Sequence, residues 1–321
     1  MTELSRRDLL RILGVGATSL VATTACSRLA STSEVSDAVY RTMPAGPILT
    51  KAIPSSGETI PVIGLGTSRT FDVGSTPAEL QPLEEVLKAF AAAGGKLIDS
   101  SPMYGNAEQV VGELSAKLGL RPKLFIATKV WTQGTAAGVR QMEESLRKLH
   151  ADPIDLMQVH NLVDVDTQLA TLVEWKQKKR IRYVGVTHSN DNAYEAVEKV
   201  ITSHKVDFLQ INYSVLERGV EQRLLPLAKE RGIAVIVNRP FARGNLFSRV
   251  RSKPLPGWAA EIDCNSWAQV LLKFVVSHPA VTCAIPATSN VVHLRDNMNA
   301  AFGRLPDAKL RTQIATELSG L

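Results

Sequence analysis

Residues 96–129 read KLIDSSPMYGNAEQVVGELSAKLGLRPKLFIATK. The stretch opens with a short apolar run, Lys96–Asp99, and closes with a second one, Leu124–Thr128. Between them the apolar residues of Glu108–Leu118 recur at helical spacing, which predicts an amphipathic helix. Strand, helix and strand in this order are typical of a parallel sheet, because the chain must cross back before it pairs in the same direction.

The same alternation extends over most of the chain and predicts eight parallel strands. The strands are predicted at Val62–Gly66, Lys96–Asp99, Leu124–Thr128, Asp155–Val159, Arg182–Val186, Asp207–Ile211, Ile233–Val237 and Val281–Ile285. The helices are predicted at Leu80–Ala93, Glu108–Leu118, Ala136–Leu149, Thr167–Lys178, Tyr194–Ile201, Gln222–Arg231, Trp267–Ser277 and His293–Ala301. Eight such units indicate an α/β protein with a (β/α)8 TIM barrel over residues 48–321, close to the usual size of ~250 residues.

Ahead of the first strand, Ile48–Ile63 contains two short apolar runs on either side of Ser55-Ser56-Gly57. The pattern predicts an N-terminal β-hairpin with Gly57 in its turn. We expect this hairpin to plug the bottom of the barrel.

Residues 1–26 have the composition of a signal peptide. Arg6 and Arg7 precede Ile12–Ala25, an uncharged stretch shorter than the ~20 apolar residues that cross a bilayer. The paired arginines resemble a twin-arginine signal, which implies the twin-arginine export machinery as a partner and a periplasmic or otherwise exported protein. A helix of the mature fold is the alternative.

The signal peptide ends near Cys26, a candidate lipid anchor. Thr23 stands three places before it, where lipoprotein signals usually carry a Leu-like residue. Residues 27–47 are predicted to form a flexible tether, because they contain many Ser, Thr and Ala residues.

The formal net charge is +6, from 37 Lys+Arg and 31 Asp+Glu. The one dense basic cluster consists of Lys176, Lys178, Lys179, Arg180 and Arg182. Because cations are favoured at a helix C-terminus, we expect a solvated helix end and no nucleic-acid partner. The three cysteines are too few and too scattered for a disulfide framework or a metal-ligand set, so no metal is expected.

Polar side chains follow most of the predicted strands. The strand-end residues are Thr67, Asp99, Lys129, His160, Thr187, Gln210, Asn238 and Pro286. The carboxyl ends of the strands build the active site in such barrels, so we expect these residues to face one cavity. The long connection Arg239–Ser266 is predicted to be a lid or a cofactor clamp, since long loops in compact domains are usually functional.

Tyr104, five residues after Asp99, adds an acid to this predicted site. A phenol has a reference pKa of ~10, and the Lys129 ammonium is expected to stabilise the phenolate and lower that pKa. Asp99 would offset the cost of burying the ammonium by pairing with it. His160 would donate a hydrogen bond that orients a carbonyl oxygen beside Tyr104.

Asp99, Tyr104, Lys129 and His160, in this order and at these strand ends, resemble the tetrad of the aldo-keto reductase family. The resemblance extends from about Ile48 to Asn297. It implies an NAD(P)H-dependent oxidoreductase that reduces aldehydes or ketones to alcohols reversibly by hydride transfer. Tyr104 would be the general acid, tuned by Lys129 and Asp99, while His160 positions the substrate.

The resemblance also implies contacts to the nicotinamide. Gly66 and Thr67 resemble the family's first-strand contact. Thr187-His188 stands where the family has Ser-Asn, whose side chains hold the nicotinamide amide. Gln210 matches a family glutamine that contacts the same amide. In Asn238-Arg239-Pro240, also assigned to the cofactor, Asn238 replaces an aromatic residue that stacks on the nicotinamide ring.

The segment from Pro286 to Asn297 resembles the family's adenosine-phosphate site. Its assigned contacts are Pro286, Thr288, Arg295 and Asn297, with Ala287 in place of a frequent lysine. Arginine is well suited to bind a phosphate, so Arg295 is expected to bind it in place of that lysine. NADPH is therefore favoured over NADH as the cofactor. Trp131 is predicted to form a wall of the substrate pocket, with a packed loop tryptophan as the alternative.

Two other classes of protein remain open. One is a nicotinamide-binding sensor or regulatory barrel without significant turnover, and the intact Tyr104 and Lys129 pair favours an enzyme over it. The other is an unrelated barrel hydrolase or lyase, for which the strand ends carry no paired carboxylates and no metal cluster.

Overall fold

The computed structural model describes residues 46–320, so the predicted signal peptide and most of the predicted tether lie outside it. Eight parallel strands form one sheet in chain order, as predicted. They are β3 (Leu65–Gly66), β4 (Leu97–Asp99), β5 (Phe125–Val130), β6 (Ile154–His160), β7 (Ile181–Thr187), β8 (Phe208–Asn212), β9 (Ala234–Asn238) and β10 (Cys283–Ala284). This chain order, with every neighbour parallel, is the topology of a (β/α)8 barrel.

The barrel closes between its first and last strands. The Gly64 amide donates to the Ala284 carbonyl at 2.9 Å, and the Gly66 amide donates to the Pro286 carbonyl at 3.1 Å. A Cβ on Gly66 would lie 2.8 Å from the Ile285 carbonyl oxygen. Gly66 therefore lacks a side chain because the two strands approach too closely for one.

Ten helices are present in the described part of the chain. They are α1 (Pro77–Ala92), α2 (Ala107–Lys117), α3 (Thr135–Lys148), α4 (Val165–Gln177), α5 (Tyr194–Ser203), α6 (Leu224–Glu230), α7 (Asn245–Val250), α8 (Trp267–Val276), α9 (Val291–Asn299) and α10 (Ala308–Ser319). Eight of them match the predicted helices. The other two, α7 and α10, were not predicted from the sequence.

The last helix, α10, packs against the barrel through buried apolar residues and through Arg311. The Arg311 guanidinium donates to the Tyr213 hydroxyl at 2.7 Å and pairs with the Glu221 carboxylate at 3.1 Å. It also lies over the Phe274 ring, 4.4 Å from its centroid. The helix thus covers the outer layer of α-helices and adds no strand or side chain to the barrel interior.

The N-terminal hairpin pairs β1 (Thr50–Ala52) with β2 (Thr59–Pro61) in antiparallel register, and Gly57 in its turn has a φ of +76°. Ile53 and Ile60 are fully buried and join the side chains inside the barrel, including Phe125 and Phe208. Buried apolar contact of this kind seals one end of a barrel. The predicted plug at the bottom is confirmed.

Four of the five residues in the predicted basic cluster pair with carboxylates. The pairs are Lys176 with Asp207, Lys178 with Glu174, Arg180 with Asp152, and Arg182 with Asp155. Within residues 46–320, no helix combines the length and apolar character needed to cross a membrane.

Candidate active site

A cavity of about 720 Å³ opens at the carboxyl ends of the strands. This volume is in the range of sites that hold small molecules. The predicted residues that line it are Gly66, Thr67, Asp99, Tyr104, His160, Thr187, Gln210, Asn238, Arg239, Pro240 and Pro286. Lys129 lies fully buried behind this lining. The expected convergence of the strand ends on one cavity is therefore present.

Asp99 and Lys129 form a buried ion pair on neighbouring strands. The Lys129 ammonium donates to the Asp99 carboxylate at 2.7 Å and to the Ser100 carbonyl at 2.6 Å. Burial opposes the charge of Lys129, but Asp99 and Tyr104 together outweigh that effect and raise the pKa of Lys129 above its ordinary value. The ammonium therefore persists at neutral pH.

The second oxygen of Asp99 is held by two glutamines. Gln210 donates to it at 2.7 Å and Gln158 at 3.2 Å. A buried carboxylate is tolerated when its lone pairs are satisfied in this way. Gln210, assigned to the nicotinamide amide, thus also orients Asp99, and the Thr187 hydroxyl donates to Gln210 at 3.0 Å.

Tyr104 follows β4 and packs against the ion pair, with the Lys129 nitrogen 5.1 Å from the centroid of its ring. Burial raises the pKa of the Tyr104 phenol, and the Lys129 charge acts in the opposite direction. The expectation of a lowered pKa is therefore wrong in its net direction, although the contribution of Lys129 has the expected sign. At neutral pH the phenol keeps its proton and is available as an acid.

His160 is a neutral imidazole in this site. Burial, and then the charge of Lys129, lower its pKa to about 3. The Ser101 hydroxyl lies 3.1 Å from His160 Nδ1 and accepts the Met103 amide at 3.3 Å. We assign the Ser101 proton to the bond with Nδ1, which leaves His160 Nε2 as an N–H donor.

The low pKa of His160 makes the stability of the fold depend on pH. Between pH 7 and pH 5 the unfolded chain takes up a proton at this residue, whereas the folded chain does not. The free energy of unfolding should therefore fall by about 2 kcal/mol through this residue. Urea denaturation of His160→Gln at the two pH values should show a decline smaller by that amount. Equal declines in the wild type and in His160→Gln would contradict the inference.

The residues at the end of β9, which were predicted to contact the cofactor, are in an unusual environment. The Oδ1 atom of Asn238 is buried and has no hydrogen-bond partner in the described structure. Arg239 adopts a φ of +53° and donates to the Ser189 hydroxyl at 2.8 Å. A buried amide oxygen without a partner, beside a cavity, is a position at which a ligand donor would be favoured.

Besides Lys129, five predicted site residues lie outside the cavity lining. These are Trp131, His188, Thr288, Arg295 and Asn297. The Thr288 hydroxyl accepts a hydrogen bond from the Asn290 amide at 3.0 Å, and His188 Nδ1 accepts one from the Asn190 amide at 3.2 Å. Trp131 is 42% exposed, so the structure does not place it as a pocket wall.

The residues missed from the sequence include Arg69, which lines the cavity, and Gln158 and Ser101, which form hydrogen bonds with Asp99 and His160. Gln158 had a readable signal, because it lies two positions before His160 on the same strand and so faces the same side. Ser101 and Arg69 lie in loops and carry no such signal. Among the described residues, no group of three or more His, Cys, Asp or Glu side chains is placed to hold a metal ion.

The fold and the site define a (β/α)8 barrel with an acid–base cluster in a cavity at the carboxyl ends of its strands. The model of the aldo/keto reductase family matches residues 62–313. The chain therefore belongs to the aldo/keto reductase family.

Individual relatives agree with this assignment over most of their length. A methylglyoxal reductase, YeaE of Escherichia coli (strain K12), is 30% identical over 268 residues, which cover 81% of this chain and 92% of the relative. A crystal structure of an aldo-keto reductase from Klebsiella pneumoniae in complex with NADPH is 26% identical, with a TM-score of 0.71, and the match covers 86% of this chain and 95% of that one. The holo form of an aldo-keto reductase from Bacillus halodurans is 23% identical with a TM-score of 0.68 and shares the fold. The match covers 85% of this chain and 96% of that one.

Proposed function

We propose that this protein is an NADPH-dependent reductase that converts aldehydes or ketones to alcohols reversibly, with Tyr104 as the general acid. The observation that carries the proposal is the buried Asp99–Lys129 pair, 2.7 Å apart, beside the Tyr104 phenol in the cavity. The family membership and the NADPH in the Klebsiella pneumoniae structure support it.

The residues around the cavity fit a nicotinamide cofactor. Asn238 offers a buried acceptor without a hydrogen-bond partner in the described structure, and Gly66 lies in the same cavity lining. Thr187 and Gln210 lie beside them at neighbouring strand ends. Reduced nicotinamide, when bound, supplies the hydride for the carbonyl carbon.

The protein side chains then supply the proton and the orientation. His160 Nε2–H donates a hydrogen bond to the carbonyl oxygen and fixes its position. Tyr104 transfers its phenolic proton to that oxygen as the alcohol forms. The Lys129 ammonium stabilises the remaining phenolate, and Asp99 keeps the ammonium in place.

The direct test is NADPH oxidation by the purified protein in the presence of a panel of aldehydes and ketones, followed by absorbance. Alcohol product should form in step with NADPH loss. NADPH binding without turnover of any carbonyl in the panel would instead support the sensor alternative.

Arg295 should bind the additional phosphate of NADPH, because it is half-buried in the segment that resembles the adenosine-phosphate site. Arg295→Gln should weaken NADPH binding about fivefold, or about 1 kcal/mol, and leave NADH binding unchanged. Fluorescence titration with both cofactors measures this difference. Arg231→Gln, an exposed control that precedes β9 at the opposite end of the barrel, should change neither affinity. Equal weakening of both cofactors in Arg295→Gln would remove the assignment.

We also propose that the twin-arginine motif directs export, with Cys26 as a candidate lipid anchor. Arg6, Arg7 and Cys26 lie outside the described residues, and the support is the sequence pattern alone. Lysine at both Arg6 and Arg7 should retain the protein in the cytoplasm in cell fractionation, whereas Arg11→Lys should not. Unimpaired export of the double variant would exclude this route.

A further inference from the structure

Three arginines line the cavity, namely Arg69, Arg239 and Arg243. The only carboxylate in the lining is Asp99, whose charge is already paired with Lys129. Within residues 46–320, none of the three arginines lies within 4.0 Å of a carboxylate oxygen. The cavity mouth therefore has an excess of positive charge that the described part of the protein does not neutralise.

The guanidinium groups of Arg69 and Arg243 are less occupied than that of Arg239, and Arg69 lies in the turn that directly follows the strand-end residue Thr67. Arg239 already donates to the Ser189 hydroxyl, which ties it to the loop after β7. Arg69 is exposed and makes no side-chain hydrogen bond or ion pair with the described residues. Its five N–H donors therefore remain free for a ligand, and a guanidinium binds a carboxylate with two parallel hydrogen bonds.

The backbone holds Arg69 in a defined position. It has a φ of +64° within a turn closed by the Thr70 and Phe71 amides, which donate to the Thr67 carbonyl at 3.2 Å and 3.1 Å. The Phe71 side chain is fully buried and anchors the turn to the core. Left-handed backbone is unfavourable for arginine, so the surrounding contacts maintain it.

Other parts of the cavity lining are apolar. They include Met103, Phe241 and Phe247, and the two phenylalanine rings have their centroids 4.8 Å apart. Met103 and Phe247 are 40% and 37% exposed, which is unusual for large apolar side chains. A ligand that fits this lining has an apolar body as well as a negative group.

We propose that the substrate is a carbonyl compound with an apolar body and a carboxylate, and that Arg69 selects for that carboxylate. The proposal rests on the reductase function proposed above. The reaction remains balanced as a carbonyl reduction: one hydride adds to the carbonyl carbon, one proton adds to its oxygen, and the carboxylate is unchanged.

Cofactor phosphates share the anionic chemistry of a carboxylate, and the Gly66 strand adjoins Pro286 and Ala287. The experiment therefore measures NADPH affinity separately from substrate selection. It uses 4-carboxybenzaldehyde and its methyl ester, which have similar shape and differ in charge. Arg69→Gln removes the charge, and Arg249→Gln is a matched control, because Arg249 is exposed on α7 and does not line the cavity.

The wild type should show a kcat/KM for the carboxylate about tenfold higher than for the ester. Arg69→Gln should remove that preference and keep kcat/KM for the ester within about twofold of the wild type. The Kd for NADPH should stay unchanged. Arg249→Gln should behave like the wild type. The preference should also shrink as ionic strength rises, because salt screens an exposed ion pair.

Four results would contradict different parts of the proposal, and each can be distinguished from the others. Equal wild-type kcat/KM values for acid and ester would refute the carboxylate while leaving the reductase intact. Weaker NADPH binding in Arg69→Gln, with both substrates reduced in parallel, would assign Arg69 to a cofactor phosphate. Turnover of other carbonyls but of neither test aldehyde would refute the substrate proposal alone, whereas no turnover of any carbonyl in the panel would refute the proposed function itself.

Discussion

Tyr104→Phe is expected to lower kcat for carbonyl reduction by about 10³-fold, while the Kd for NADPH stays within twofold of the wild type. The substitution removes one hydroxyl and keeps the ring that packs beside Lys129 and His160. A positioned general acid contributes roughly 10²- to 10⁴-fold to a rate, so its loss should appear in the chemical step. Single-turnover kinetics with bound NADPH measures that step directly.

A matched control is available on the same barrel. Tyr194 lies on α5, its hydroxyl donates to Asn212 at 3.3 Å, and it does not line the cavity. Tyr194→Phe should keep kcat within twofold of the wild type. If Tyr104→Phe retained wild-type turnover, another group would have to supply the proton, and the assignment of the acid would be lost.

The strand ends could be predicted from the sequence because their signals are local. An apolar run that stops at a polar residue marks both the strand and its end, as at Asp99 and His160. Parallel pairing then places all such residues at one end of the barrel. No distance between them had to be known for this conclusion.

Features that depend on tertiary packing could not be predicted. Gln210 reaches Asp99 across 111 positions of sequence, and the net pKa of Tyr104 depends on how deeply the phenol is buried. Trp131 was expected to form a pocket wall by its distance from Lys129. However, β5 ends at Val130, so the alternation that directs Lys129 inward does not extend to Trp131.

The unpredicted helices have a similar explanation. The six residues of α7 are too few for a helical period to be recognised, and they lie in the connection that was predicted only as a lid or clamp. The twelve residues of α10 follow the eighth strand–helix unit, where a (β/α)8 pattern is already complete. A pattern based on repeating units carries no information about an added helix.

Lys129→Met is expected to destabilise the fold by about 3–5 kcal/mol and to lower kcat by at least ~10²-fold. It leaves the buried Asp99 carboxylate without its cation, which is more costly than losing an ordinary hydrogen bond. It also removes the charge that stabilises the phenolate of Tyr104 during proton transfer. Urea denaturation and steady-state kinetics report the two effects separately.

A second buried lysine is a control that distinguishes the effect of losing a buried ammonium on stability from its effect on catalysis. Lys273 is also fully buried, but its ammonium donates to the carbonyls of Ile262 and Arg304 at 2.6 Å and 3.0 Å, and it does not line the cavity. Lys273→Met should therefore destabilise the fold and leave kcat of the folded protein within twofold. A similar loss of kcat in both variants would mean that Lys129 acts only through stability.

The double variant Asp99→Asn with Lys129→Met tests the energetic coupling between the two charges of this pair. Removing both charges leaves no unpaired ion, so its destabilisation should be smaller than the sum of the single variants by about 2 kcal/mol. Its kcat should stay low, because the phenolate of Tyr104 still lacks a neighbouring ammonium. Additive stabilities would show that the 2.7 Å contact is energetically unimportant, whereas recovery of kcat would exclude Lys129 from the chemistry.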